Sequence, residues 1–133
     1  DLFKYNNLSS FKKFFIDIEK HKIIFRDLLL NLKDNKKKVI GYGASTKGNV
    51  ILQYCNINQE LIPYIAEVNK FKHGRYTPGS KIKIISEQQA KKMSPDYFIV
   101  FPWHFKNFII NKEKKFIKRG KKIIFPLPDI EII

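Results

Sequence analysis

The segment Val39-Ile-Gly-Tyr-Gly-Ala-Ser-Thr-Lys-Gly-Asn49 constrains this chain more than any other. An apolar run stops at two glycines spaced by one residue, and a helix-compatible stretch resumes a few positions later. These are the marks of a buried strand, a tight loop and a helix start. A strand that leads directly into a helix implies a parallel sheet, because the helix carries the chain back to the starting edge.

The rest of the chain repeats that alternation. From Leu8 to Lys33 the apolar residues recur mostly at spacings of three and four, which predicts a long amphipathic helix with Ser9 or Ser10 as its cap. Asp34-Asn35 ends it, and Lys37 to Gly41 reads as the first strand. A helix over Lys47 to Cys55 and a strand over Pro63 to Val68 follow. Phe71 to Ser80 is a loop by its glycines and proline, and Lys81 to Ile85 alternates like an edge strand. Ser86, with Gln89 three residues on, opens a short helix in a capping-box pattern. Tyr97-Phe-Ile-Val-Phe101 is apolar on both faces, as a strand covered on both sides must be. A helix over Asn107 to Lys118, stopped by Gly120, and a strand over Lys122 to Phe125 complete the pattern. The expected architecture is an α/β, Rossmann-like three-layer domain with a mainly parallel sheet and a long N-terminal helix.

Composition narrows the classes of function. At 133 residues, 44% of them hydrophobic, the chain can bury one core. Its apolar runs are broken by polar residues within a few positions, so none spans a membrane. The first residue is Asp1 and no signal peptide follows, so a piece of a longer protein is expected. Cys55 is the only cysteine, which excludes an internal disulfide and a zinc site of three or four cysteines, and fits a reducing, cytoplasmic compartment. The net charge of +14 raises the alternative of a basic nucleic-acid-binding domain. Only Arg26, Arg75 and Arg119 are arginines, however, and the lysines are spread along the chain. Base reading and bidentate phosphate clamping favour arginine, so a solvated lysine surface is the simpler reading.

Gly41 and Gly43 stand where the first strand meets its helix, with Gly48 just beyond. In an open parallel sheet that junction, outside the carboxyl ends of the strands, is where ligands bind. Glycines let the backbone turn tightly and approach a phosphate, and the first amides of the helix supply donors. Ser45 and Thr46 cap the helix or donate to phosphate oxygens, and Lys47 adds a point charge; Tyr42, Ala44 and Asn49 complete the loop. The spacing G-x-G-x-x-x-x-G is neither the dinucleotide fingerprint nor a Walker A. The competing reading gives the glycines a packing role alone. On the phosphate reading, Gly43→Val abolishes binding without unfolding the domain, because the new side chain fills the phosphate position.

Other candidates lie downstream. Glu67, at the end of the second strand, is placed to bond a ribose hydroxyl or is an ordinary exposed carboxylate. The next loop offers Lys72, Arg75 with a fork for pyrophosphate, and Tyr76 with a stacking face; a hairpin with solvated charges is the bland alternative. Trp103 follows the buried strand as a core lid or a base-stacking platform. His73 and His104 are candidates for orienting a sugar or are structural. No residue stands out as catalytic.

Several ordered motifs carry a resemblance. Gly41-Tyr-Gly-Ala-Ser-Thr-Lys-Gly-Asn49, Leu52-x-Tyr54-Cys55-x-Ile57 and Asn69-x-x-Lys72-x-Gly74-Arg75-Tyr76-x-Pro78-Gly79 come first. Pro95-Asp96-Tyr97, Phe101-Pro102-Trp103 and Phe125-Pro126-Leu127-Pro128 follow. Together, from Lys38 to Pro128, they resemble the carboxyl-terminal domain of the S-adenosylmethionine-dependent sugar C-methyltransferases. The resemblance implies a domain that holds a nucleoside-diphosphate keto-sugar while a methyl group is transferred to a sugar carbon. It places S-adenosylmethionine and zinc in central and amino-terminal domains outside this chain, with no cofactor, metal or catalytic residue here. Glu67 stands where an Asp is expected. The expected organisation is a connector helix over 1–36 and the Rossmann-like domain over 37–133. The expected partners are the nucleotide-sugar and the other two domains, with neither nucleic acid nor membrane. A stand-alone NAD(P)- or nucleotide-binding Rossmann protein is the alternative, against which the glycine spacing argues.

Overall fold

The computed structural model describes residues 8–133. The first seven residues of the expected 1–36 connector lie outside the described residues, and the remainder forms helix α1, Leu8–Asp34. Six strands make one sheet: β1 (Val39–Tyr42), β2 (Tyr64–Glu67), β3 (Lys83–Ser86), β4 (Tyr97–Val100), β5 (Lys122–Phe125) and β6 (Glu131–Ile132). Their order is β3-β2-β1-β4-β5-β6. The first five run parallel, and β6 pairs antiparallel with β5. This is the doubly wound order, with the chain reversing direction across the sheet between β1 and β4. The expected α/β class holds.

Three strands feed α-helices: α2 (Thr46–Tyr54) after β1, α3 (Glu87–Lys92) after β3, and α4 (Lys106–Lys112) with α5 (Lys114–Lys118) after β4. Alternation along the strands divides the core into two layers. Val39 and Ile65 point to the side covered by α1 and α2, where Phe25, Leu29 and Leu52 are buried. Ile40 and Tyr42 point to the side covered by α3, α4 and α5, where Phe98, Ala90 and Ile109 are buried. The carboxyl-terminal half of α1 thus belongs to this core, and Arg26 fixes it by donating to the Cys55 carbonyl at 2.7 Å.

Four details differ from the sequence expectation, the first being that Ser9 and Ser10 lie inside α1 and do not cap it. The helix expected over Asn107 to Lys118 is broken at Glu113, a buried residue with helix-breaking dihedrals whose carboxylate meets Lys91 at 2.7 Å. Holding that ion pair turns the chain away from a continuous helix. The short antiparallel β6 is too brief to leave a period in the sequence. Lys70–Lys72 forms a single 3-10 turn inside the loop after β2. Among the described residues, no helix is long and apolar enough to cross a membrane.

Candidate functional site

The site begins at the end of β1. Gly43 has φ +88°, a left-handed conformation that only glycine adopts freely, and its N–H donates to the Ala66 carbonyl at 2.8 Å. That bond ties the loop to the end of β2. Ser45 then caps α2: its Oγ accepts from the Gly48 N–H at 3.0 Å. The first two amides of α2, on the exposed residues Thr46 and Lys47, meet no acceptor among the described residues. They are the donors a helix start offers to an anion.

The glycines divide by role. A Cβ on Gly41 would lie 2.9 Å from Ile65 Cγ1, and one on Gly48 would lie 2.7 Å from Phe101 Cβ. Both are accounted for by packing, the first between neighbouring strands and the second between α2 and the sheet. Gly43 alone of the three lines the cavity described below, and there a Cβ would meet Pro102 Cδ at 2.6 Å. This corrects the expectation that a valine at Gly43 leaves the fold intact. Pro102 already fills the space a side chain needs, and the backbone is left-handed as well.

Glu67 closes the loop from the β2 side. One carboxylate oxygen accepts from the Ala44 N–H at 3.1 Å and the other from the Asn69 N–H at 2.7 Å. Lys72 reaches back, its Nζ donating to the Ala44 carbonyl at 2.8 Å. The His73 ring bonds the Glu67 carbonyl at 2.6 Å, so it braces the same turn. Glu67 and Lys72 are therefore brought to the β1 loop from positions over twenty residues away, as the sequence reading expected.

Around these groups lies a cavity of about 430 Å³, within the range that holds small ligands. Tyr42, Gly43, Ala44 and Ser45 line one side, and Ala66, Glu67, Val68 and Lys72 a second. Glu87 on α3, Pro102 and Phe105 in the turn after β4, and Phe108, Ile109 and Lys112 on α4 close it. Two acids and two lysines face this space, so the chain's net charge of +14 is not concentrated there. Val68, Phe105 and Phe108 are exposed apolar side chains at its walls.

The other sequence candidates stand apart from the cavity. Thr46, Lys47 and Asn49 lie along the first turn of α2, just beyond its rim. The strand-like segment that carries Arg75 and Tyr76 runs back along β3. The Arg75 carbonyl accepts from the Ile84 N–H, and Tyr76 bridges Lys83 at the amino end of β3, away from the loop. Tyr76 lines a different surface hollow with Tyr64 and Lys81. Trp103 packs against both core layers, with Lys47 Nζ 5.8 Å from its ring centre, which is the lid arrangement. The His104 ring lies between those of Trp103 and Phe105, clear of the cavity wall.

Sequence reasoning missed Glu87, Lys112 and the two phenylalanines. Glu87 had a legible signal: it follows the Ser86 cap at the carboxyl end of a parallel strand, where ligand groups collect. Lys112 had none, being one lysine in a lysine-rich helix. The structure joins these two in an ion pair of 2.8 and 3.0 Å across the cavity. Beside them, the Tyr42 hydroxyl is shut off from solvent without a hydrogen-bond partner. Burial first, then the charges of Glu113 and Glu87 and the pull of the Glu87 carboxylate on the hydroxyl proton, push its pKa far up, so it keeps its proton at any ordinary pH. Among the described residues, no group of three or more His, Cys, Asp or Glu is placed to hold a metal ion.

The chain is 32% identical over 123 residues to the C-methyltransferase NovU of Streptomyces niveus, covering 92% of this chain and 29% of that protein. It therefore spans less than a third of the relative's length. Residues 2–128 match the family defined by the C-methyltransferase C-terminal domain, and the chain belongs to that family.

Proposed function

We propose that this chain is the substrate-holding carboxyl-terminal part of an S-adenosylmethionine-dependent C-methyltransferase, and that its ligand is a nucleoside-diphosphate keto-sugar. The observation that carries the reading is the cavity outside the carboxyl ends of β1 and β2, with a capped helix start on its rim and a carboxylate at the end of β2. The free amides of Thr46 and Lys47, with the Lys47 ammonium, suit a diphosphate. Glu67 already accepts two backbone N–H groups, and a carboxylate retains lone pairs for a ribose hydroxyl.

In this reading the methyl donor, the zinc and the base that removes a proton beside the sugar ketone belong to the amino-terminal and central domains of the whole enzyme. The chain's own contribution is to bind and orient the substrate, in the cytoplasm. Neither nucleic acid nor membrane is its partner, since its lysines are dispersed and the cavity is balanced in charge. Titration calorimetry of the folded chain with nucleoside diphosphates and nucleotide-sugars tests the proposal. Heat of binding that saturates at or below millimolar ligand is expected, with no methyl transfer by the chain alone. Absence of binding by folded protein at that concentration refutes it.

A further inference from the structure

We infer that Tyr42, Glu87 and Lys112 form a second recognition point on the side of the cavity lined by α3 and α4, which reads the polar edge of the ligand's nucleobase. The inference rests on the proposed nucleotide-sugar reading and goes beyond it by assigning the residues that decide which base is accepted.

Three observations point there. Tyr42 is 5% exposed and lines the cavity, and its hydroxyl meets no acceptor in good hydrogen-bond geometry, the neighbouring Glu87 carboxylate being the one group that draws on its proton. A buried donor left unsatisfied costs about 1–3 kcal/mol, so such a group in a ligand-sized cavity calls for an acceptor that arrives with the ligand. Secondly, Glu87 and Lys112 come from different elements, the first residue of α3 and the last of α4, and meet beside Tyr42. Lys112 Nζ lies 5.5 Å from the centre of the Tyr42 ring. Both keep partial solvent access, at 20% and 35% of their side-chain surface, so either can exchange its partner for a ligand atom without a buried charge being stranded. Thirdly, the same cavity is lined by the exposed apolar side chains Val68, Phe105 and Phe108, two of them aromatic.

The chemistry of the two ends differs accordingly. The α2 start offers unpaired amides and a lysine, which suit an anion. On the α3 and α4 side the charges of Glu87 and Lys112 cancel, and a phosphate there would face the Glu87 carboxylate. What fits is an uncharged planar ring whose edge carries both an N–H, for Glu87, and a carbonyl or ring nitrogen, for the Tyr42 hydroxyl and Lys112. A nucleobase has that edge, and its faces suit apolar and aromatic walls. The base therefore lies toward α3 and α4 and the diphosphate toward the start of α2, at Ser45 to Lys47.

The test compares binding of inorganic pyrophosphate with that of uridine, thymidine, guanosine and adenosine diphosphates, for the parent chain, Tyr42→Phe and Glu87→Gln. The parent is expected to bind one base class at least about tenfold tighter than the others and than pyrophosphate. Tyr42→Phe, which keeps the ring in the core, is expected to lower that preferred affinity about fivefold or more, the size of one hydrogen bond, and to leave pyrophosphate within about twofold. Glu87→Gln, on a partly exposed side chain, is expected to change the ranking of the bases. The inference is overturned if both variants keep the parent's ranking and affinities, or if Tyr42→Phe weakens pyrophosphate as much as the diphosphates. A folded parent that binds none of these ligands overturns the nucleotide-sugar reading itself, and the base assignment with it.

Discussion

Gly43→Ala separates two costs that the structure assigns to one position. Gly43 and Gly74 have similar left-handed backbones, with φ +88° and +81°. A Cβ at Gly74 meets nothing within 4 Å, whereas at Gly43 it lies 2.6 and 2.8 Å from Pro102 Cδ and Cγ. Alanine at either site carries the left-handed penalty of about 1–2 kcal/mol. At Gly43 it also overpacks a rigid proline ring, which adds about 1–3 kcal/mol. Gly74→Ala should therefore lower stability by about 1–2 kcal/mol, and Gly43→Ala by about 2–5 kcal/mol. For a domain of this size that is a fall in Tm of roughly 5 °C against roughly 10 °C or more. Urea unfolding of both variants measures the difference, and a double-mutant cycle identifies its source. In a Pro102→Ala background, which removes the ring, the cost of Gly43→Ala should fall to that of Gly74→Ala, giving a coupling of about 1–3 kcal/mol. Equal costs at the two glycines, or a cycle that closes with no coupling, would refute the assignment of Pro102 as the obstacle.

Two further outcomes follow from single contacts. Ser45→Ala removes the bond from Gly48 N–H to Oγ that caps α2, and should cost about 1 kcal/mol in urea unfolding, while Ser45→Asp, which caps as well, should restore most of it. Asp96 accepts the Lys38 N–H at 2.8 Å, and that bond, aided by Lys121, holds its carboxyl below the usual carboxylate value of 3.8. A depressed folded pKa contributes stability above the unfolded pKa, which is lost as pH falls through the folded value. Asp96→Asn should therefore be less stable than the parent at neutral pH, with the gap narrowing as pH drops below about 3.8, as read from urea midpoints across that range. A gap that stays constant with pH would contradict it.

Much of the site was legible because strand-loop-helix chemistry is local. Gly43, Ser45 and the amides of α2 are set by neighbours within a few residues, so the segment from Val39 to Asn49 showed them directly. Glu67 was legible from its place at the end of a strand in a parallel sheet. Arg75 and Tyr76 were drawn toward the loop by the charge and ring they carry, but the chain there pairs back along β3 and takes them toward the other end of the sheet. That turn depends on Gly74 N–H finding the Ile84 carbonyl on β3 and on Thr77 pairing with Ile82 just before it, which nothing in the spacing announces.

The sequence by itself determined the class of fold, the order of nearly all its elements and the position of the β1 loop, since periodicity, caps and glycines act over one or two turns of chain. Tertiary structure decided what that loop faces. It assigned Gly41 and Gly48 to packing against Ile65 and Phe101, set Pro102 against Gly43, and brought Glu87 and Lys112 together beside a buried, unpartnered Tyr42 hydroxyl. Those relations join residues from twenty-four to seventy positions apart, and only the crossing of strands and helices between them fixes which will meet.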